Sequence, residues 1–252
     1  MGNPFFLSKN YVSALDTINV SSRDATKICL YDQKAALQWT SYGETTETGY
    51  DTYIEVVFYE GLVAATRVFD TLVLQNINVK KFKFQYWDGA AYQDITGGEV
   101  TTNAAATVRI KLAATVTTTK IKLLMQSTIV AGQEKKIGEL WVMLQTFELT
   151  EGRHSHSRSD YKEGGAYYLA SGKMETFTVF KKYAAKIDFE LLTLVSIVLF
   201  KALYDLDSNF TIYLNYGTDA DGIYNVCWTN TFTYDEDTLR GYFKLSMEIK
   251  EQ

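Results

Sequence analysis

The segment that most constrains this chain is Lys81–Trp87 (KFKFQYW). Phe82, Phe84 and Tyr86 alternate strictly with Lys81, Lys83 and Gln85, and the run stops at Asp88-Gly89. A period of two cannot give a helix one apolar face, but it puts three aromatic rings on one side of a β-strand. Asp-Gly after such a run reads as a hairpin turn, because both residues tolerate positive φ. Tyr92–Ile95 resumes beyond it. A chain containing this segment has to build a half-buried sheet.

The same reading extends in both directions. Thr52–Tyr59 (TYIEVVFY) lies between Gly49 and Gly61, and Val68–Leu74 ends at the turn-like Gln75-Asn76-Ile77-Asn78. Val108–Leu112, Thr119–Met125 and Ile137–Leu149 complete the set. Roughly seven short strands in about 140 residues, with turns at regular intervals, describe a β-sandwich. Composition agrees. At 46% apolar the chain can bury a core, and 18 Tyr with 14 Phe favour pleated, half-buried surfaces. Pro4 is the only proline, so Gly, Asn and Asp shape the loops.

The character changes at Thr150–Gly165 (TEGRHSHSRSDYKEGG), which is polar and lacks apolar periodicity. The expected organisation is a sandwich over 1–149, a polar linker or loop over 150–165 and a β-rich domain over 166–252. In that last part Lys173–Phe180, Ala184–Phe189, Phe210–Leu214, Tyr224–Phe232 and Leu239–Ile249 read as strands. Leu191–Tyr204 reads as one helix near 190–205, with Leu191, Leu194, Val195, Val198 and Leu199 as its apolar face. The fold class is therefore mainly β, a jelly-roll-like sandwich plus a β-rich α+β domain with one helix.

Charge and termini narrow the partners. The net charge is −5, the pI is near 5.2, and no Lys/Arg run exceeds two residues. Nucleic acid is not an expected partner. The N-terminal MGNPFFLSKNY lacks a basic region followed by an apolar one, and Phe6 stands where a myristoylation site wants Ser or Thr. The most apolar window, Phe189–Leu206, is interrupted by Glu190 and Lys201. Its clean stretch of about ten residues falls short of a membrane span, so no membrane partner is expected. Cys29 and Cys227 are far apart in sequence and read as two free thiols.

Motifs that would carry chemistry are weak. His154 and His156 would share one face of a strand, but only Asp160 and Glu163 lie near them, so solvated histidines are the reading. No Gly-x-Ser-x-Gly occurs, and Gly97-Gly98 sits between strands without a Gly-Lys-Ser. Asp235, Glu236 and Asp237 read as a solvated loop. Asp32, Glu44 and Asp51 raise the question of calcium, as do Asp219 and Asp221, but the twelve-residue spacing with its final Glu is missing. No catalytic residue, cofactor or metal site is assigned. A glycan-acting enzyme stays as a further alternative, because paired carboxylates need not be close in sequence. Of the tryptophans, Trp39 is read as core. Trp87, before an exposed turn, forms with Tyr92 a candidate glycan contact, since exposed rings can stack on sugars.

One ordered pattern goes further. Leu30-Tyr31-Asp32, then Gln38-Trp39-Thr40-Ser41, then Ile54–Phe58 (IEVVF), resembles the opening of discoidin-like, galactose-binding-fold domains. Phe69–Gly89 is similar to the central portion of that fold and Gln133–Leu140 (QEKKIGEL) to its closing strand, so the resemblance spans residues 12–147. Such a module joined to a β-rich partner resembles bacteriophage tail-associated proteins. Phe210–Tyr213 and Ile223–Trp228 are similar to C-terminal parts of distal tail or baseplate proteins. The resemblance implies a non-enzymatic virion structural protein, made in the host cytoplasm, that assembles with other copies of itself and other virion proteins. No sugar-binding residues carry over from lectin members. The alternative function is a carbohydrate-binding adhesion module that meets a cell-surface glycan through Trp87 and Tyr92.

Overall fold

The computed structural model describes residues 5–7, 10–32, 37–149, 153–168, 174–205, 210–213, 223–237 and 241–251. Most of them lie in strands, as the mainly-β expectation requires. The chain divides into two compact units, but not end to end. Asn10–Gln145 form one, while Met1–Lys9 and Thr146–Gln252 together form the other. The expected boundary near 149 thus catches only one of two crossings. The short strand β1 (Phe5–Leu7) belongs to the second unit, and the sandwich is inserted after it.

Within the inserted unit the strands are β2 (Thr17–Val20), β3 (Trp39–Thr40), β4 (Thr52–Val57), β5 (Tyr59–Glu60), β6 (Val63–Ala64) and β7 (Arg67–Gln75). They continue with β8 (Val79–Trp87), β9 (Tyr92–Val100), β10 (Val108–Thr118), β11 (Lys120–Thr128), β12 (Lys136–Ile137) and β13 (Glu139–Met143). A five-stranded antiparallel sheet, ordered β2-β4-β11-β8-β9, shares one core with a three-stranded sheet, β10-β7-β13. This is the sandwich that the alternating segments call for.

Ile54, Val56, Phe82, Phe84, Ile121, Leu123 and Met125 face inward from the larger sheet and meet Phe69, Leu72, Leu74, Ile110, Leu140 and Val142. Each such side chain withdrawn from water contributes about 1.5–3 kcal/mol. Trp39 is fully buried, and its indole N–H donates to the Ser22 carbonyl oxygen at 3.1 Å. A core role for Trp39 holds.

The hairpin between β8 and β9 forms where Asp88-Gly89 marks it. Asp88 Oδ1 accepts from the Ala90 and Ala91 amides at 2.8 Å each, and Gly89 takes φ 108°. Further on, Gly97-Gly98 do not separate two strands. They lie inside β9, where the partner register jumps from Gln85↔Asp94 to Lys83↔Glu99. Gly97 has φ 80°, and a Cβ on Gly98 would sit 3.0 Å from the Ile95 carbonyl oxygen, so this bulge needs both glycines.

The second unit adds β14 (Gln145–Glu148), β15 (Arg153–Tyr168), β16 (Met174–Leu192), β17 (Phe210–Tyr213), β18 (Ile223–Trp228), β19 (Tyr234–Asp237) and β20 (Tyr242–Glu251). They form one antiparallel sheet ordered β14-β1-β17-β18-β20-β16-β15, with β19 also pairing with β20. Phe6 ties the N-terminal strand into its core, stacked on Phe147 at 4.6 Å and edge-on to Phe200 at 5.2 Å.

Three expectations change here. The polar stretch 150–165 is not a linker: from Arg153 onward it is β15, paired with β16 from Arg153↔Glu190 to Tyr168↔Met174. A strand at the end of a sheet takes its stability from the backbone ladder, and Ser155, Ser157 and Ser159 are exposed there, so no apolar alternation is required. The acidic run Asp235–Asp237 lies in β19 and pairs with Tyr242–Lys244, so it is not a loop. Helix α1 (Leu194–Tyr204), capped by Thr193 Oγ1 accepting from the Ser196 amide, buries Ile197, Phe200 and Leu203. Leu194, Val195 and Val198, expected on the core face, are exposed. The segment is apolar nearly all round, and periodicity cannot choose a side in such a helix. No helix among the described residues is long and apolar enough to cross a membrane, and Cys29 and Cys227 form no disulfide.

Candidate functional site

The residues of β4, β11 and β8 that alternate with the core positions build the outer face of the five-stranded sheet. Strand register sorts them into rows. Asn19, Glu55, Lys122, Gln85 and Asp94 stand opposite one another in turn across five strands. In the neighbouring row Val57 faces Lys120, and Trp87 faces Tyr92. The two ring-bearing residues singled out from sequence are therefore cross-strand partners beside their own hairpin turn.

Their packing is specific. The Trp87 and Tyr92 rings meet edge to face at 5.3 Å, and the Lys120 ammonium lies 4.9 Å from the Trp87 ring centroid. Lys122 places its ammonium 4.2 Å from the Tyr92 centroid and 5.0 Å from that of Tyr53. Along the same face Lys83 and Lys81 lie 5.1 and 5.8 Å from the Tyr50 ring. Each of these lysines holds its charge against an aromatic ring, whose quadrupole attracts it.

Hydrogen bonds fix the protonation states. The Tyr92 hydroxyl donates to Glu55 Oε1, Asn19 Nδ2 donates to Glu55 Oε2 at 2.7 Å, and Lys122 stands 3.7 Å from the same carboxylate. Burial pushes the Glu55 carboxyl up, but these donors and the charges of Lys122 and Lys120 outweigh it, and Glu55 titrates below its ordinary range. Burial and the anionic partner push the Tyr92 phenol well above its ordinary value. Asp94 is held ionised by Gln85 at 2.7 Å and Lys83 at 2.9 Å.

Sequence reasoning missed Glu55, Lys120 and Lys122. The alternation in TYIEVV and TKIKLLM places them on the outer face, but only the strand order, β4 and β11 between β2 and β8, brings them to the rings.

The other candidates fare differently. Among the described residues no group of three or more His, Cys, Asp or Glu is placed to hold a metal ion. Near Glu44 and Asp51 a side-chain cation is present instead, for the Lys135 ammonium donates to the carbonyl oxygens of Glu44 and Thr46. His154 and His156 lie on β15, but their side chains fall outside the described residues, as do Asp219 and Asp221 altogether. In the second unit a cleft of about 370 Å³ is lined by Asp188, Glu190, Asp235, Tyr234 and Lys244. Its carboxylates are partly neutralised, Glu190 by Lys244 at 3.7 Å and Asp188 by Lys186 at 3.6 Å.

No family model and no curated relative matches the chain. Solved structures of low identity do. The CpGH89CBM32-6 module produced by Clostridium perfringens is 13% identical, with a TM-score of 0.41 over 53% of this chain and 98% of its own. The family 32 carbohydrate-binding module of Streptococcus pneumoniae EndoD is 15% identical, with a TM-score of 0.42 over 53% and 98%. The family 32 module of C. perfringens NanJ, solved in complex with galactose, is 11% identical, with a TM-score of 0.42 over 56% and 98%.

Proposed function

We propose that this chain is a non-enzymatic glycan-binding protein and that the Trp87–Tyr92 face of the inserted sandwich is its contact surface. The observation that carries this reading is the half-buried Trp87 ring, braced by Tyr92 at 5.3 Å beside a row of hydrogen-bonding side chains. An indole held edge-on by a neighbour loses little freedom on binding and offers a flat apolar surface to the C–H face of a sugar ring. Gln85, Asp94 and Asn19 lie one row away, where amide and carboxylate groups can meet hydroxyls. Anchoring aromatics of this kind typically carry about 2 kcal/mol or more of a binding free energy. The test is a glycan array probed with the full chain and with Trp87→Ala. Binding that the substitution abolishes supports the reading, and a blank array removes it.

A second reading is assembly into a virion, as a tail or baseplate component. It is favoured by the ladder between β15 and β16, whose strands are 16 and 19 residues long, while β20 accompanies β16 only from Ala184 to Leu192. β15 ends the sheet among the described residues, and a long edge strand is a template for another strand. Light scattering over a concentration series tests it. Rings or higher oligomers support assembly, and a monomer at every concentration argues against it.

A further inference from the structure

We propose that the ligand of the Trp87 face is an acidic glycan, one whose sugars carry a carboxylate or a sulfate ester, with Lys120 as its ion-pair partner. This rests on the glycan-binding reading and names the ligand class within it. Four lysines share the face, and they are not equivalent. Lys83 is neutralised by Asp94 at 2.9 Å, and Lys122 has Glu55 at 3.7 Å. Lys120 and Lys81 form no ion pair among the described residues, and their ammonium groups rest against Trp87 and Tyr50.

Lys120 lies outside ion-pair distance of Glu55, which its charge reaches only at longer range. Glu55 already accepts from the Tyr92 hydroxyl and from Asn19 at 2.7 Å, with Lys122 beside it. Beside the aromatic anchor Lys120 is thus a cation without an ion-pair partner among the described residues, while the Asp88 carboxylate is turned to the Ala90 and Ala91 amides and to Gln93, on a chain whose net charge is −5. An overall anionic protein repels a polyanion at long range, so an acidic ligand would have to be held by a local, placed cation.

Lys120 is placed for it. Its ammonium lies 4.9 Å from the Trp87 ring centroid, so a sugar whose anionic group pairs with it also packs against the indole. A neutral sugar leaves that ammonium without an anion. A uronate or sulfated sugar supplies the anion and stacks at the same time. An ammonium–anion hydrogen bond of this kind is worth roughly tenfold or more in affinity.

The experiment uses the full chain and an array carrying neutral, uronate-bearing and sulfate-bearing glycans at equal density, followed by titration of the best binder. The proposal expects acidic glycans to bind at least about tenfold more tightly than neutral counterparts, with affinity falling as salt rises. Lys120→Met should remove that advantage, Lys120→Arg should keep most of it, and Lys186→Met in the other unit should change nothing. Preference among the acidic probes tells a carboxylate ligand from a sulfate one. If neutral glycans bind as well as acidic ones, and Trp87→Ala abolishes both, the acidic assignment is overturned while glycan binding stands. If Lys186→Met weakens binding as much as Lys120→Met, the attraction is diffuse and the assignment also falls. If no glycan binds, the underlying reading fails with it.

Discussion

The ammonium of Lys135 donates to the backbone carbonyl oxygen of Thr46 at 2.8 Å, and the Glu44 carbonyl accepts from the same nitrogen at 2.9 Å. Lys135 is 1% exposed, so a cation reached from the β12 side holds the 41–47 loop in place. Its main-chain amide adds a bond to Ser41 Oγ at 2.9 Å. Burial pushes the Lys135 pKa down, while Glu47, Glu44 and Asp51 oppose that shift. Replacing it by Met leaves two carbonyls without their donor. Lys135→Met should destabilise the inserted unit by about 2–3 kcal/mol. Urea titration checks this as a lower midpoint with an unchanged slope.

Trp39→Ala should be more severe. It removes the largest fully buried side chain of the sandwich and the donor to Ser22. The expected loss is about 3–5 kcal/mol, with a smaller loss for Trp39→Phe, which keeps most of the volume. Chemical denaturation of both variants orders them.

Acid should act through the carboxylates held below their ordinary range, Glu55 and Glu47 among them. Glu55 titrates below its ordinary 4.5, and so does Glu47, where burial raises the value but bonds from Gly132 and Thr128 prevail. Folded pKa values below the unfolded ones mean stability that is present above about pH 4.5 and lost as pH falls through the folded values. Glu55→Gln should therefore flatten the acid limb of a stability–pH curve measured between pH 6 and pH 2.5 (about the range that brackets both states). A limb as steep as the wild type's would contradict this.

The division into units predicts that residues 10–145 fold alone. The two ends of this unit are laced together internally: the Tyr11 amide donates to the Val142 carbonyl at 2.9 Å, and Asn10 Oδ1 accepts from the Val142 amide at 2.9 Å. The excised segment should unfold in one cooperative step. A fragment without a cooperative transition would contradict the division.

Much of the sandwich was legible because its strands alternate, and Lys81–Trp87 with Asp88-Gly89 defined both a strand and its turn. The insertion was not, because Phe5–Leu7 is too short to carry a period and its partner Tyr213–Thr211 lies more than 200 residues away. β15 was hidden by its polarity, and the buried side of α1 by the opposite fault, apolar residues on every side. At the candidate site the aromatic pair could be read from one hairpin. Glu55 and Lys120 could not, because their proximity comes from strand order, which no local pattern encodes.

The central claim is that the Trp87 face binds glycan, and titration calorimetry tests it most directly. The full chain, Trp87→Ala and Lys120→Met are each titrated with the strongest glycan found on the array. The account predicts measurable binding by the wild type, at least about a 30-fold loss for Trp87→Ala and roughly tenfold for Lys120→Met, with both variants still folding cooperatively. Wild-type affinity retained by a folded Trp87→Ala would contradict it.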